Sequence, residues 1–273
     1  MNPIAMADLR WKAALVGWGV MMALLAAMWW NGKQIRQSQP RIDDSLIQAV
    51  TTITLPHDRP DTLLRYNGFD VHFNPSTHLP NYVAYELTAA EARGTLEREG
   101  KFHTDPRVRS CATPTDYAQS GYDRGHLVPA GDLRFDTAAM RNSFVMTNIV
   151  PQSSRLNEGG WARLEEKIRE WALRDEALLV MAGPVVTAHA QRIGPTGVAV
   201  PERFFKVVVA HHRVPPRAIA FVYDNAESDG NLADYAVPVD SLERLAGIRL
   251  FDGLPAPVAH ALRGEPNLPR WLE

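Results

Sequence analysis

GYDRGHLVPAGDL (121–133) sets Asp123, Arg124, Gly125 and His126 side by side and follows them with the turn signals Pro129 and Gly131. Two charges, a glycine and an imidazole packed this tightly either decorate a surface loop or present the imidazole to something. An imidazole with its ordinary pKa of about 6.5 is mostly neutral near pH 7 and can take a proton from water. Asp123, three positions upstream, is a candidate to orient it. A single histidine among nine is more often a satisfied structural group, so the flanking sequence has to decide.

Downstream, SFVMTNIVPQ (143–152) joins a strand-like run to a proline turn, with Asn148 between them as turn chemistry or as a polar group lining a site. In LNEGGWARLEEKIREWALRDE (156–176), Trp161, Leu164, Ile168 and Trp171 recur at helical spacing and predict an amphipathic helix over roughly 158–173. Asn157 stands at or just before its start, either as a helix cap or as a hard, neutral oxygen ligand for a dication such as Mg²⁺. Glu165 and Arg169 follow Trp161 in steps of four, so they border the apolar stripe. Burying them is expensive unless they meet partners.

Further out, YVAYEL (82–87), LLVMAGPVV (178–186), FFKVVVAHH (204–212) and AIAFVYD (218–224) are apolar, β-branched or aromatic runs and predict strands, the last three central. VDSLERLAG (239–247) predicts a helix with Asp240 as N-cap, Glu243 three residues on and Gly247 at its end. TAAEARGTLEREG (88–100) reads as a short helix or a loop, and 101–131 as loop with room for short strands. The mixture predicts an α+β fold, a mainly antiparallel sheet flanked by helices. His211 and His212, at a strand end without further spaced ligands, read as structural.

A net charge of −2 gives no global attraction to nucleic acid, so any such attraction must be local. Cys111 is the only cysteine, which rules out an intrachain disulfide. HExxH, GxxxxGK[ST] and GxSxG are all absent, which argues against a zinc peptidase, a P-loop nucleotidase and an α/β-hydrolase. AALVGWGVMMALLAAMWW (13–30) is uncharged and apolar over a length of about 27 Å, near the thickness of a bilayer core. It ends in bulky Met28, Trp29 and Trp30 rather than a small-x-small cleavage site, so it reads as an uncleaved anchor, with a cleaved signal peptide as the rival. The resulting division is a cytoplasmic N-terminus (1–12), a transmembrane anchor or signal (13–30), a linker (31–60) and a folded domain (61–273).

The order DRGH, Asn148-x₈-Asn157-x₇-Glu165 and the strands around it closely resembles the DNA/RNA non-specific endonuclease family, the sugar-non-specific ββα-metal (His-Me finger) nucleases, over roughly 64–256. The resemblance implies a nuclease fold and assigns roles by position. His126 matches the general base, Asn157 the protein ligand of Mg²⁺ (Mn²⁺ as the alternative), and Glu165 the carboxylate holding metal-bound water. Arg169 matches the cation near the phosphate, and Arg124 and Asn148 match residues that line the site. A phosphate-binding arginine of the family falls at Gly100, leaving Lys101 or Arg98 to substitute.

The function so implied is a membrane-tethered, Mg²⁺-dependent endonuclease that hydrolyses DNA and RNA, on the periplasmic face of an inner membrane or secreted after signal cleavage. Contacts mainly to phosphate carry no sequence information. Titration of His126 at its ordinary pKa predicts activity falling below about pH 6. The rival readings are a catalytically silent membrane-tethered module for nucleic-acid binding or uptake, and a phosphodiesterase for small nucleotides. The oligomeric state is open, a homodimer included.

Overall fold

Runs of Val, Leu and Phe with no polar alternation need cover on both faces, and they receive it in the computed structural model, which describes residues 21–22, 24–30, 42–226, 228–263 and 268–272. The strands are β1 (Ile53–Thr54), β2 (Thr62–Tyr66), β3 (Phe69–Asn74), β4 (Leu79–Thr88), β5 (Asp123–His126) and β6 (Ile149–Gln152). They continue with β7 (Ala177–Val185), β8 (Arg192–Ile193), β9 (Val198–Ala199), β10 (Arg203–Ala210), β11 (Arg217–Asp224), β12 (Ala236–Val237) and β13 (Arg249–Leu250). Seven form one sheet in the order β12-β11-β10-β7-β4-β3-β2, antiparallel throughout. The α+β expectation holds for the folded unit.

Alternation along these strands sends two sets of side chains in opposite directions. Val83, Tyr85, Val180, Phe204 and Val208 face the helix Trp161–Asp175, which buries Trp161, Leu164, Ile168 and Trp171 as its periodicity predicts. Tyr82, Leu179, Met181, Val207 and Val209 face the other way and pack on Val50, Val239, Leu242 and Val258. Each fully buried Val, Leu or Phe on either side contributes about 1.5–3 kcal/mol.

Two boundaries differ from the sequence reading. The proposed linker 31–60 is folded from its middle onward: Ile42, Val50 and Ile53 are buried, and β1 pairs with β13. Polar flanks hid these few apolar anchors, and the compact unit begins near Arg41. In the helix Val239–Ala246 the N-cap position belongs to Pro238 rather than Asp240, which pairs with Arg244 at 3.0 Å one turn on. Gly247 does close that helix.

The apolar segment 13–30 lies outside the described residues at 13–20 and 23; residues 21–22 and 24–30 are helical and exposed. Among the described residues no helix is long and apolar enough to cross a membrane.

Candidate active site

β5 is DRGH itself, and it forms a two-stranded antiparallel ribbon with β6, pairing Gly125 with Val150 and His126 with Ile149. The glycine is required by the close approach of the two strands. A Cβ on Gly125 would stand 2.3 Å from Gln152 Oε1. The ribbon is followed by a π-helical turn, Leu156–Gly160, and then by the helix Trp161–Asp175. Two hydrogen bonds fasten the start of that helix to the ribbon. Trp161 Nε1 donates to the His126 carbonyl at 3.2 Å, and Asn157 Nδ2 donates to Asp123 Oδ2 at 3.1 Å. His126 and Asn157 therefore belong to one ββα unit, tied to the two ends of a strand about 10 Å long.

Asp123 does not orient the imidazole, as the sequence alone suggested. Residues three apart on a strand project to opposite faces. Its carboxylate instead holds Asn157 and accepts from Ser154 Oγ at 2.9 Å. With Nδ2 so committed, Asn157 keeps its amide oxygen for another partner and lines an open cleft of about 380 Å³ with Phe102, Tyr122, Asp123, Arg124 and Glu158. A hard, uncharged oxygen on a fixed amide suits Mg²⁺. It does not cap the helix.

The imidazole of His126 is wedged among aromatic rings, edge-on to Phe144 at 5.0 Å and tilted against Phe102 at 5.4 Å. Its Nε2 is buried with no hydrogen-bond partner. Burial first, and the charge of Arg98 second, push its pKa down to about 3. The expected loss of activity below pH 6 through this group is thereby corrected: the ring stays neutral far below that. Phe102, and not His126, lines this cleft, with the Arg124 guanidinium 4.6 Å above its ring.

Of the two basic substitutes for the family arginine, the structure brings Arg98 to His126 and over the Phe144 ring at 5.4 Å. Lys101 is exposed, and its carbonyl lies 3.0 Å from His103 Nδ1. Gly100 itself has no room for a side chain, because a Cβ there would sit 2.1 Å from the Phe144 ring. Packing around the imidazole explains the departure.

Glu165 and Arg169 meet the partners that their burial demands. Glu165, 14% exposed, faces the fully buried Lys206 with Oε1 3.4 Å from Nζ. Arg169 donates to Asp132 Oδ1 at 2.9 Å, and Tyr85 donates to Asp132 Oδ2 at 2.7 Å. Lys206 also lies 4.3 Å from the centre of the Trp161 ring. Burial raises the Glu165 pKa to about 7; Asp132 adds to the rise, while Lys206 and Arg169 oppose it. Burial likewise lowers that of Lys206.

Asn148 reaches no open surface, contrary to its expected place lining the site. Its Oδ1 accepts from Val128 N at 3.0 Å, and Nδ2 donates to Val128 O at 3.0 Å and Ser143 O at 2.8 Å. It positions the chain that leaves His126.

Lys206, Asp132 and Phe102 were missed in the sequence. Alternation in FFKVVVA could have found Lys206, since it places the lysine on one face with Phe204 and Val208.

A ββα finger carrying an unpartnered imidazole at one end of its strand and a fixed amide oxygen tied to the other defines the class of fold, and comparison specifies it further. The sequence profile of the DNA/RNA non-specific endonuclease family matches residues 48–257, and the chain belongs to that family. It is 34% identical over 208 residues to "Nuclease EXOG, mitochondrial" of Xenopus laevis, covering 70% of this chain and 58% of the relative. It is 32% identical over 194 residues to "Endonuclease G, mitochondrial" of Bos taurus, covering 64% of each. A chain in the crystal structure of an EndoG/EndoGI complex superposes with a TM-score of 0.67 at 28% identity, covering 72% of this chain and 88% of that one.

Proposed function

We propose that this chain is a metal-dependent, sugar-non-specific endonuclease that hydrolyses phosphodiester bonds of DNA and RNA. The observation that carries the reading is the imidazole of His126, whose buried Nε2 has no partner in the protein and which is built into one ββα unit with Asn157. An unsatisfied buried acceptor is costly for stability, and a nucleophilic water is the partner that would satisfy it.

His126 Nε2 takes the proton of a water whose oxygen bonds to phosphorus as the bond from phosphorus to the 3′-oxygen breaks, and the leaving 3′-oxygen takes up a proton from solvent. Asn157 Oδ1 would hold Mg²⁺, which supplies Lewis-acid neutralisation of charge developing on the phosphate. Asp123 keeps that amide turned to the cleft. Arg124 and Arg98 supply the local positive potential that the net charge lacks, and contacts made mainly to phosphate would leave sugar and base unread. Glu165, paired with Lys206, would orient water on the metal, and Arg169 steadies the turn that carries Asp132.

Replacing His126 by Ala removes a general base worth about 10²- to 10⁴-fold, so Mg²⁺-dependent nicking of circular DNA and digestion of RNA should fall by at least about 100-fold. Near-parental cleavage by a folded His126→Ala protein refutes the assignment. The apolar segment 13–30 supports membrane tethering, and a domain outside the cytoplasm would keep unspecific cleavage from the host's own nucleic acid; sedimentation of the full chain with membranes, resistant to high salt, tests the tethering.

A further inference from the structure

On the face of the sheet turned away from the cleft, three metal-ligating side chains converge. Glu86 on β4 pairs with Leu179, and Leu179 pairs with Val209 on β10, so all three project from one face. His211, two residues beyond Val209, projects there too. Lys206 and Tyr85 alternate to the opposite side, where they meet Glu165 and Asp132.

One ligand atom each from Glu86, His211 and His212 lies within 4.8 Å of the others. His211 Nε2 and Glu86 Oε1 are 3.3 Å apart. A tetrahedral centre with ligands about 2.0–2.1 Å away has edges of about 3.3–3.4 Å, so this pair already has the spacing of two vertices. The pair is an ion contact with geometry too poor for a full hydrogen bond: His211 is only 4% exposed, and beyond the Glu86 carboxylate neither of its ring nitrogens has a partner. A buried imidazole left in that state is destabilising unless something else engages it. The His212 ring packs on that of His211 with centroids 4.2 Å apart, and Glu176 Oε2 lies 3.9 Å from His212 Nδ1, close enough to offer a further oxygen.

We propose that Glu86, His211 and His212 form a binding site for one transition-metal dication of the Zn²⁺ class, separate from the nuclease centre. Two imidazoles and a carboxylate favour borderline-soft ions over Mg²⁺ or Ca²⁺. The ion would clasp β4 to the end of β10 across the intervening β7, so its effect is to stabilise the sheet. It takes no part in cleavage.

The test uses Asn157→Ala protein, which disables the nuclease metal position, stripped with chelator and titrated with Zn²⁺ alone by calorimetry. One equivalent should bind and raise the melting temperature. Adding Glu86→Gln or His212→Ala, both exposed and outside the core, should weaken that binding about tenfold or more and remove the thermal shift. In the otherwise unaltered chain, the same two substitutions should leave Mg²⁺-dependent cleavage at the parental rate. If the parent takes up no Zn²⁺, or if either variant binds it as tightly as the parent, the site does not exist.

Discussion

Leu179, Met181, Val207 and Val209 on one face of the sheet pack on apolar residues such as Val239, Leu242 and Val258. One residue away along the same strands, Lys206 and Tyr85 point to the opposite face and meet Glu165, Asp132 and Arg169. Both faces exclude water, but at these four positions the first uses that exclusion for cohesion. Replacing a buried ion pair by apolar residues of similar volume is often neutral or stabilising. The charged face is therefore not explained by stability; what it provides is a fixed setting for Glu165 and Arg169 on the helix Trp161–Asp175.

The sharpest way to break this contrast is to damage both faces equally. Lys206→Met leaves the Glu165 carboxylate buried without its cation and should cost about 3–5 kcal/mol. Leu179→Ala on the other face should cost about 2–5 kcal/mol through its cavity. Urea unfolding should show comparable losses. Cleavage per folded molecule should then separate them: about tenfold or more lost for Lys206→Met, as for groups that orient a metal's surroundings, and unchanged for Leu179→Ala. Equal activity in the two would erase the distinction between the faces.

A second contrast lies in proton binding. Glu165 titrates near 7 and His126 near 3, each displaced chiefly by burial. If the ionised Glu165–Lys206 pair is the active form, kcat/KM should fall as pH drops through about 7, and Glu165→Gln should lose that inflexion. Stability carries the opposite signs. Between about pH 3 and 6.5 the folded state holds fewer protons on His126 than the unfolded chain, so stability is lost as pH falls through that window. Between about pH 4.5 and 7 the folded state holds more protons on Glu165, so stability is lost as pH rises. Of these two groups only the histidine still contributes below about pH 4.5, on top of carboxylates such as Asp105 that hold their charge there, and His126→Gln should be less sensitive to acid than the parent. Chemical unfolding at pH 4.5 and 3.5 measures it.

Much of the charged face was legible, for a local reason. DRGH, Asn157, Glu165 and Arg169 lie on short segments whose period and spacing are properties of the chain itself. What was not legible depends on long-range pairing. Asp123 finds Asn157 only because the ribbon closes across 34 residues, and Asp132 finds Arg169 from a loop that has no period. The titration of His126 was misjudged because its environment comes from Phe102 and Phe144, neither of them adjacent in sequence. The apolar face was readable as strands, but its first segment, from Ile42 to Ile53, was hidden by polar neighbours.

The smallest expected effect tests whether the charged face extends to the substrate. Arg124 sits exposed over Phe102 at the cleft, and Arg98 lies over Phe144 behind it. If Arg124 neutralises one phosphate, Arg124→Ala should raise KM a few-fold with little change in kcat and reduce the slope of log binding against log salt by about one. Arg98→Ala should act differently. Removing its charge relieves part of the depression of His126, so the imidazole resonance followed by NMR should titrate at a higher pH, whereas in Arg124→Ala it should stay where it is. A shift of equal size in both variants would mean that the two arginines act as one diffuse field, and that the packing around Gly100 has not given Arg98 a place of its own.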